Sequence, residues 1–208
     1  MPMKDNREYR AMTMRAIVDI ENEEQIVEGY ASTFDEPYLL WSDDEVEVWE
    51  TVDRHAFDNA DMSDVIFQYD HEGRVFARIR NNTLTVQPDD HGLFVRANLG
   101  GTELGRGLYQ EIAGGYTDKM SFGFIVAEDR REVTEGEKTR LDRYITAVSK
   151  VFDVSAVSLP ANNGTALTAS VRGFDGVIEE ARAERLKMLE REMERKRLIV
   201  RAKALGGK

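Results

Sequence analysis

Lys119-Met120-Ser121-Phe122-Gly123-Phe124 sets apolar Met120, Phe122 and Phe124 on one face of an extended chain, with Ser121 and Gly123 on the other. Alternation at every second residue marks a strand with one buried face. The same period recurs on both sides of this stretch. Upstream, Met14, Ala16, Val18 and Ile20 alternate, Glu21 to Glu24 break the run, and Ile26 to Ser32 resume it through Gly29. That is the pattern of a hairpin with a polar turn. Leu84 and Val86, the turn Pro88-Asp89-Asp90-His91-Gly92, then Leu93, Val95 and Ala97 predict a second hairpin. Downstream, Ile145, Ala147 and the run Val154 to Leu159 read as further strands.

Between these strands the period changes. Leu104, Leu108 and Ile112 lie four apart, one helical stripe that Gly114-Gly115 ends. Asp53 to Ala60 reads as a short helical stretch, and Val65-Ile66-Phe67 as a strand buried on both faces. From Asp175 to about Val200 the spacing of Ile178, Arg182, Leu186, Leu189 and Met193 predicts a long amphipathic helix able to pair with another helix. The expected class is α+β, mainly β. Many short, mostly antiparallel strands would bury their edges in a closed or nearly closed barrel flanked by a few helices. The expected division is a flexible N-terminus over 1–13, a barrel domain over 14–170 and a helical extension over 175–204.

Charge supports that division. The 208 residues carry a formal net charge of −11. Residues 1–174 hold 18 Lys+Arg against 32 Asp+Glu, whereas residues 175–208 hold 10 against 7. An acidic body argues against nucleic-acid binding, which needs a concentrated positive face. There is no cysteine, so disulfides, thiolate metal sites and a cysteine nucleophile are excluded. No apolar run reaches the ~18–20 residues that span a bilayer, and the start, MPMKDNREYR, has no apolar signal-peptide core. The expectation is a soluble, intracellular protein without a membrane partner.

Three histidines are the groups whose ordinary titration falls near neutrality. His91 lies in a turn and reads as solvated; His55, beside Arg54 and near Phe57, reads as structural. His71 ends the strand Val65–Tyr69 and precedes Glu72-Gly73, a place where rigid scaffolds present catalytic groups. Ser121 is either a serine on a wet strand face or a nucleophile beside a glycine that leaves room for a substrate carbonyl. Asp153 opens an otherwise apolar strand. It is either an edge carboxylate in water or a buried one that orients a histidine. Asp43-Asp44-Glu45 lacks the ligand spacing of a calcium loop and reads as a solvated acidic face. No histidine pair stands at metal-binding spacing, and no metal or cofactor is expected. The G-x-S-x-G elbow of α/β-hydrolases is absent.

In order along the chain, Tyr69-Asp70-His71, Lys119 to Phe124 and Asp153-Val154-Ser155-Ala156-Val157-Ser158-Leu159-Pro160-Ala161-Asn162 resemble the prohead proteases of tailed bacteriophages. Glu28-Gly29-Tyr30-Ala31-Ser32-Thr33-Phe34 also matches how such proteins begin, and the resemblance covers roughly residues 14–168. That family looks related in fold to the herpesvirus assemblins. The resemblance implies a serine endopeptidase with Ser121 as nucleophile, His71 as general base and Asp153 as the third member. The family commonly has glutamate at that last position, so Asp70 and Glu72 stay open as alternatives. Gly114, Gly115 and the Arg130-Arg131 segment are candidates for the oxyanion site. The implied substrates are the capsid protein's scaffold-like segment, any separate scaffold and the protease itself. The implied place is the host cytoplasm, packaged inside the procapsid. A homo-oligomer is compatible with this, as dimerisation activates the herpesvirus enzymes. The rival reading is an inactive capsid or scaffold protein with the same barrel.

Overall fold

A computed structural model of the chain describes residues 7–19, 24–158 and 175–205. Among the described residues ten strands and two α-helices follow in order: β1 (Glu8–Asp19), β2 (Glu24–Thr33), β3 (Tyr38–Ser42), β4 (Val46–Val52), β5 (Ile66–Tyr69), β6 (Glu72–Arg78), β7 (Leu84–Pro88), β8 (Gly92–Asn98), α1 (Glu103–Ala113), β9 (Lys119–Thr134), β10 (Thr139–Val157) and α2 (Asp175–Leu205). The strands form a single sheet in the order β3-β4-β10-β9-β1-β2-β8-β7, with β5 attached to β10 and β6 to β5. The β1–β2 and β7–β8 hairpins lie where alternation puts them.

The mainly β, α+β class is the observed one, but the sheet does not close into a barrel. Its end strands, β3 and β7, are five residues each. Short edges, and a proline that cannot donate at the end of β7, keep them from recruiting further strands. Two ladders are parallel: β10 pairs with β4 along one half and with β5 along the other. β1 starts at Glu8, inside the stretch expected to be flexible, and its residues 8–13 pair with β9. Residues 20–23 of the first turn and the Leu159-Pro160-Ala161-Asn162 end of the third motif lie outside the described residues.

Local chemistry explains the helices and one misreading. Thr102 caps α1 by accepting the Gly105 N–H at 2.9 Å, and Gly115, at φ +74°, lets the chain turn away after it. Leu108 and Ile112 are buried, but Leu104 is exposed, so the apolar stripe begins one turn later than its spacing suggests. Residues 53–60 form consecutive i→i+3 turns, not a helix: Ala56, Asp58 and Ala60 donate to Asp53, His55 and Phe57. The Asp53 carboxylate takes the His55 N–H, and the turns press Ala56 and Phe57 into the core.

The main apolar core gathers Phe67, Phe122, Phe124, Val154, Val27, Leu93, Val95 and the inner face of α1. A second cluster joins Trp41, Val46, Val48 and Leu141 to Val177, Ile178 and Ala181 from the first two turns of α2. Between the two clusters lies a buried ionic network. Arg143 donates to Glu8 at 2.6 Å, to Glu50 at 3.1 Å and to Asp129 at 2.5 Å, and Arg10 donates to Glu50 at 2.5 Å and Glu8 at 2.7 Å. Burial by itself would raise the Glu8 carboxyl, but the hydrogen bond and charge of Arg143 and the charge of Arg10 outweigh it and hold it below the usual range. These bonds fasten β1 to β4 and β10.

Candidate active site

The site stands on the face of the sheet opposite the core. In the β9–β10 ladder Phe122 pairs with Val154 on the core side, while Gly123 pairs with Asp153 and Ser121 with Ser155 on the other. Alternation alone would not put Asp153 there. Val151 is buried against the core, and two steps further along a regular strand would face the core again. A register shift between Val151 and Asp153 inserts Phe152 as a bulge, which turns Asp153 onto the face of Ser121.

His71 arrives from the other side of β10. β5 and β6 are joined by a two-residue turn, Asp70-His71, between the paired Tyr69 and Glu72. Both turn residues have positive φ, +48° and +59°, as a tight hairpin of the I′ kind requires. The turn is tied to β10 at several points. The Asp70 N–H donates to the Ala156 carbonyl at 2.9 Å, and the Asp70 carboxylate accepts the Ser158 N–H at 2.9 Å and its hydroxyl at 3.0 Å.

The three side chains meet in file. Ser121 Oγ lies 2.8 Å from His71 Nε2, and His71 Nδ1 is hydrogen-bonded to Asp153 Oδ2. A carboxylate can only accept, so Nδ1 carries the proton and Nε2 is left to accept the Ser121 hydroxyl. Asp153 is buried and Ser121 is 2% exposed, so the hydroxyl is far more enclosed than a serine on a wet strand face. The His71 side chain keeps 17% of its surface open. Tyr9 of β1 covers part of the imidazole, with ring centroids 4.3 Å apart. Its neighbours Glu8 and Arg10 point to the opposite face, into the ionic network.

Asp70 is engaged by Ser158 and Glu72 is exposed, so neither takes the place beside Nδ1. Arg130 and Arg131 sit nine and ten residues further along β9, against Tyr144, Asp129 and Glu180, away from Ser121. Gly114 and Gly115 end α1 and make no contact with the three residues among the bonds described. The space at Gly123 is occupied by protein: a Cβ there would meet Asp153 Oδ1 at 2.5 Å and Tyr9 Cε1 at 2.8 Å. His55 pairs with Asp58 at the surface, and His91 lies in its turn against Tyr30. Asp43 caps its own turn by accepting the N–H groups of Glu45 and Val46. Among the described residues no group of acidic or histidine side chains is arranged to hold a metal ion, and no helix is long and apolar enough to cross a membrane.

Two contributors went unread in the sequence. Tyr9 lies outside every motif. Ser155 gave a signal, since alternation from Asp153 puts both on one face.

A hydroxyl, an imidazole and a carboxylate in file on a rigid sheet make the arrangement of a serine hydrolase. The comparison with known families narrows that class: the caudovirus prohead serine proteases match residues 11–179, and the chain belongs to that family. That family is one of phage capsid-maturation proteases in general. No curated protein and no solved structure matches the chain, and the likeness to herpesvirus assemblins gains nothing from the comparisons.

Proposed function

We propose that the chain cleaves peptide bonds in scaffold, in the scaffold-like segment of the capsid protein and in itself, with Ser121, His71 and Asp153 as the catalytic residues. The observation that carries this reading is the 2.8 Å contact between Ser121 Oγ and His71 Nε2, with Asp153 on Nδ1. As Oγ attacks the peptide carbonyl carbon, Nε2 takes its proton, and the C–O bond forms as the carbonyl π pair moves to oxygen. Nε2 then gives the proton to the amine as the C–N bond breaks. Water repeats the sequence on the acyl-enzyme, with His71 again as base. Asp153 keeps the proton on Nδ1 in the resting state and stabilises the imidazolium that forms.

The test is to express the chain with Ser121 and with Ser121→Ala, and to follow its mass from 23.7 kDa over time, alone and with capsid or scaffold protein. Shortening of the chain or of those proteins with Ser121 only supports the reading. Silence of both forms with every substrate would favour the inactive structural relative. Asp153→Asn should slow cleavage by about 10⁴-fold, because the wrong imidazole tautomer is then favoured.

The reading extends to α2. Its first two turns belong to the second core cluster, whereas Leu186 to Arg201 are mostly exposed and carry more basic than acidic side chains. This outer part is proposed to dock on scaffold helices and carry the enzyme into the procapsid. Removing residues 185–208, which spares Val177, Ile178 and Ala181, should abolish incorporation while leaving peptide cleavage intact. Unchanged incorporation would end the docking idea.

A further inference from the structure

We propose that Ser155 is a positioning residue that holds His71 and Asp153 in register with Ser121; the proposal rests on the protease reading above and adds a residue to it. Ser155 is fully buried on β10 and is paired across the ladder with Ser121 itself. Its Oγ makes two hydrogen bonds, and their directions follow from chemistry alone. The His71 backbone N–H, 3.2 Å away, can only donate, so Oγ accepts it. The single Ser155 hydroxyl hydrogen is therefore free to donate to Asp153 Oδ2 at 3.0 Å. That oxygen is also the one bonded to His71 Nδ1.

One hydroxyl thus ties the backbone of the histidine to the oxygen its ring uses. The closed loop runs from Ser155 Oγ through His71 N, the imidazole and Asp153 Oδ2 back to Oγ. It joins residues 84 positions apart, on a turn whose backbone lies in a region that side chains disfavour. Without the hydroxyl, the carboxylate loses one of two donors on Oδ2, so its rotation about the Cβ–Cγ bond is held less firmly. The His71 N–H also loses its acceptor. Both changes let the imidazole drift relative to Ser121 Oγ, and a displacement of about 1 Å costs on the order of 100-fold in rate.

The full chain, Ser155→Ala, Ser155→Thr and Ser121→Ala are compared by two measurements. The first is the rate at which a fluorophosphonate probe labels Ser121. The second is the low-field proton resonance of the His71 Nδ1–H, with folding checked by circular dichroism. Ser155→Ala is expected to label about 10–100-fold more slowly, with the resonance shifted upfield or lost, and Ser155→Thr, which keeps a hydroxyl, is expected to recover most of both. Wild-type rate and resonance in Ser155→Ala would overturn the proposal. Equal impairment of folded Ala and Thr variants would overturn it too, because the hydroxyl would then not be the cause. If the wild-type chain ignores the probe, the protease reading fails by itself. The resonance still decides the role of Ser155, since it reports the His71–Asp153 bond and not turnover.

Discussion

Replacing Gly123 with alanine adds a single methyl group in the middle of β9, on the face that carries Ser121 and Asp153. The new Cβ would lie 2.5 Å from Asp153 Oδ1 and 2.8 Å from Tyr9 Cε1. Ordinary contact is roughly 3.5 Å, so the carboxylate must retreat by about 1 Å. Tyr9 can swing aside, but Asp153 is held by both His71 and Ser155 through Oδ2, and its retreat drags the imidazole from Ser121. A shift of that size predicts a loss on the order of 100-fold in cleavage or probe labelling. Stability should change little. Overpacking costs about 1–3 kcal/mol, and removing a glycine from a strand interior returns roughly 0.5–1 kcal/mol. Labelling rates and urea midpoints of the two proteins separate these effects. A folded Gly123→Ala chain with labelling within threefold of the parent would refute the argument that this glycine exists to seat the carboxylate.

Three other outcomes follow from the packing. Arg143→Met removes the cation shared by Glu8, Glu50 and Asp129 and should destabilise the chain by about 3–5 kcal/mol, read as a lower urea midpoint, because two buried carboxylates and the partly buried Asp129 lose a partner. The Glu8 and Asp129 carboxyls are held below their ordinary values of 4.5 and 3.8, with the arginine bonds outweighing burial in each case. Groups whose folded pKa is depressed contribute stability that is complete above those values and is lost as pH falls through the folded ones. The urea midpoint should therefore hold from pH 7 to about 5 and then drop toward pH 3, whereas a flat profile would count against the network. Ala181→Glu puts a charge into the fully buried contact of α2 with Trp41, Val46 and Leu141, and should release the helix. Tryptophan emission should shift to the red while Ser121 keeps its labelling rate, and loss of labelling would mean that the helix supports the site.

Alternation exposed both hairpins and the faces of β9, because each of those signals is contained within a few neighbouring residues. The trio His71, Ser121 and Asp153 was legible as motifs in order, yet their meeting was not. It depends on the parallel pairing of β5 with β10, which brings together residues 82 positions apart and leaves no periodic mark in either segment. The bulge at Phe152 was equally silent, since an apolar residue beside an acid looks the same in a bulged strand as in a straight one. The predicted barrel failed for a related reason: whether end strands meet depends on the twist and length of the whole sheet, not on any one strand. The turns at 53–60 were mistaken for a helix because Ala56, Phe57 and Ala60 share its spacing, while the deciding Asp53–His55 bond is local polar chemistry.

The turn that carries His71 sets two selection pressures against each other. A two-residue hairpin with both positions at positive φ favours Asp-Gly, and this chain already has the aspartate. Glycine at position 71 would relieve about 1 kcal/mol of left-handed backbone strain and at the same time delete the imidazole. A library of variants sorted on heat resistance alone should thus enrich proteins that have lost this imidazole. One sorted on cleavage should retain histidine at a position where the fold would be better off without it.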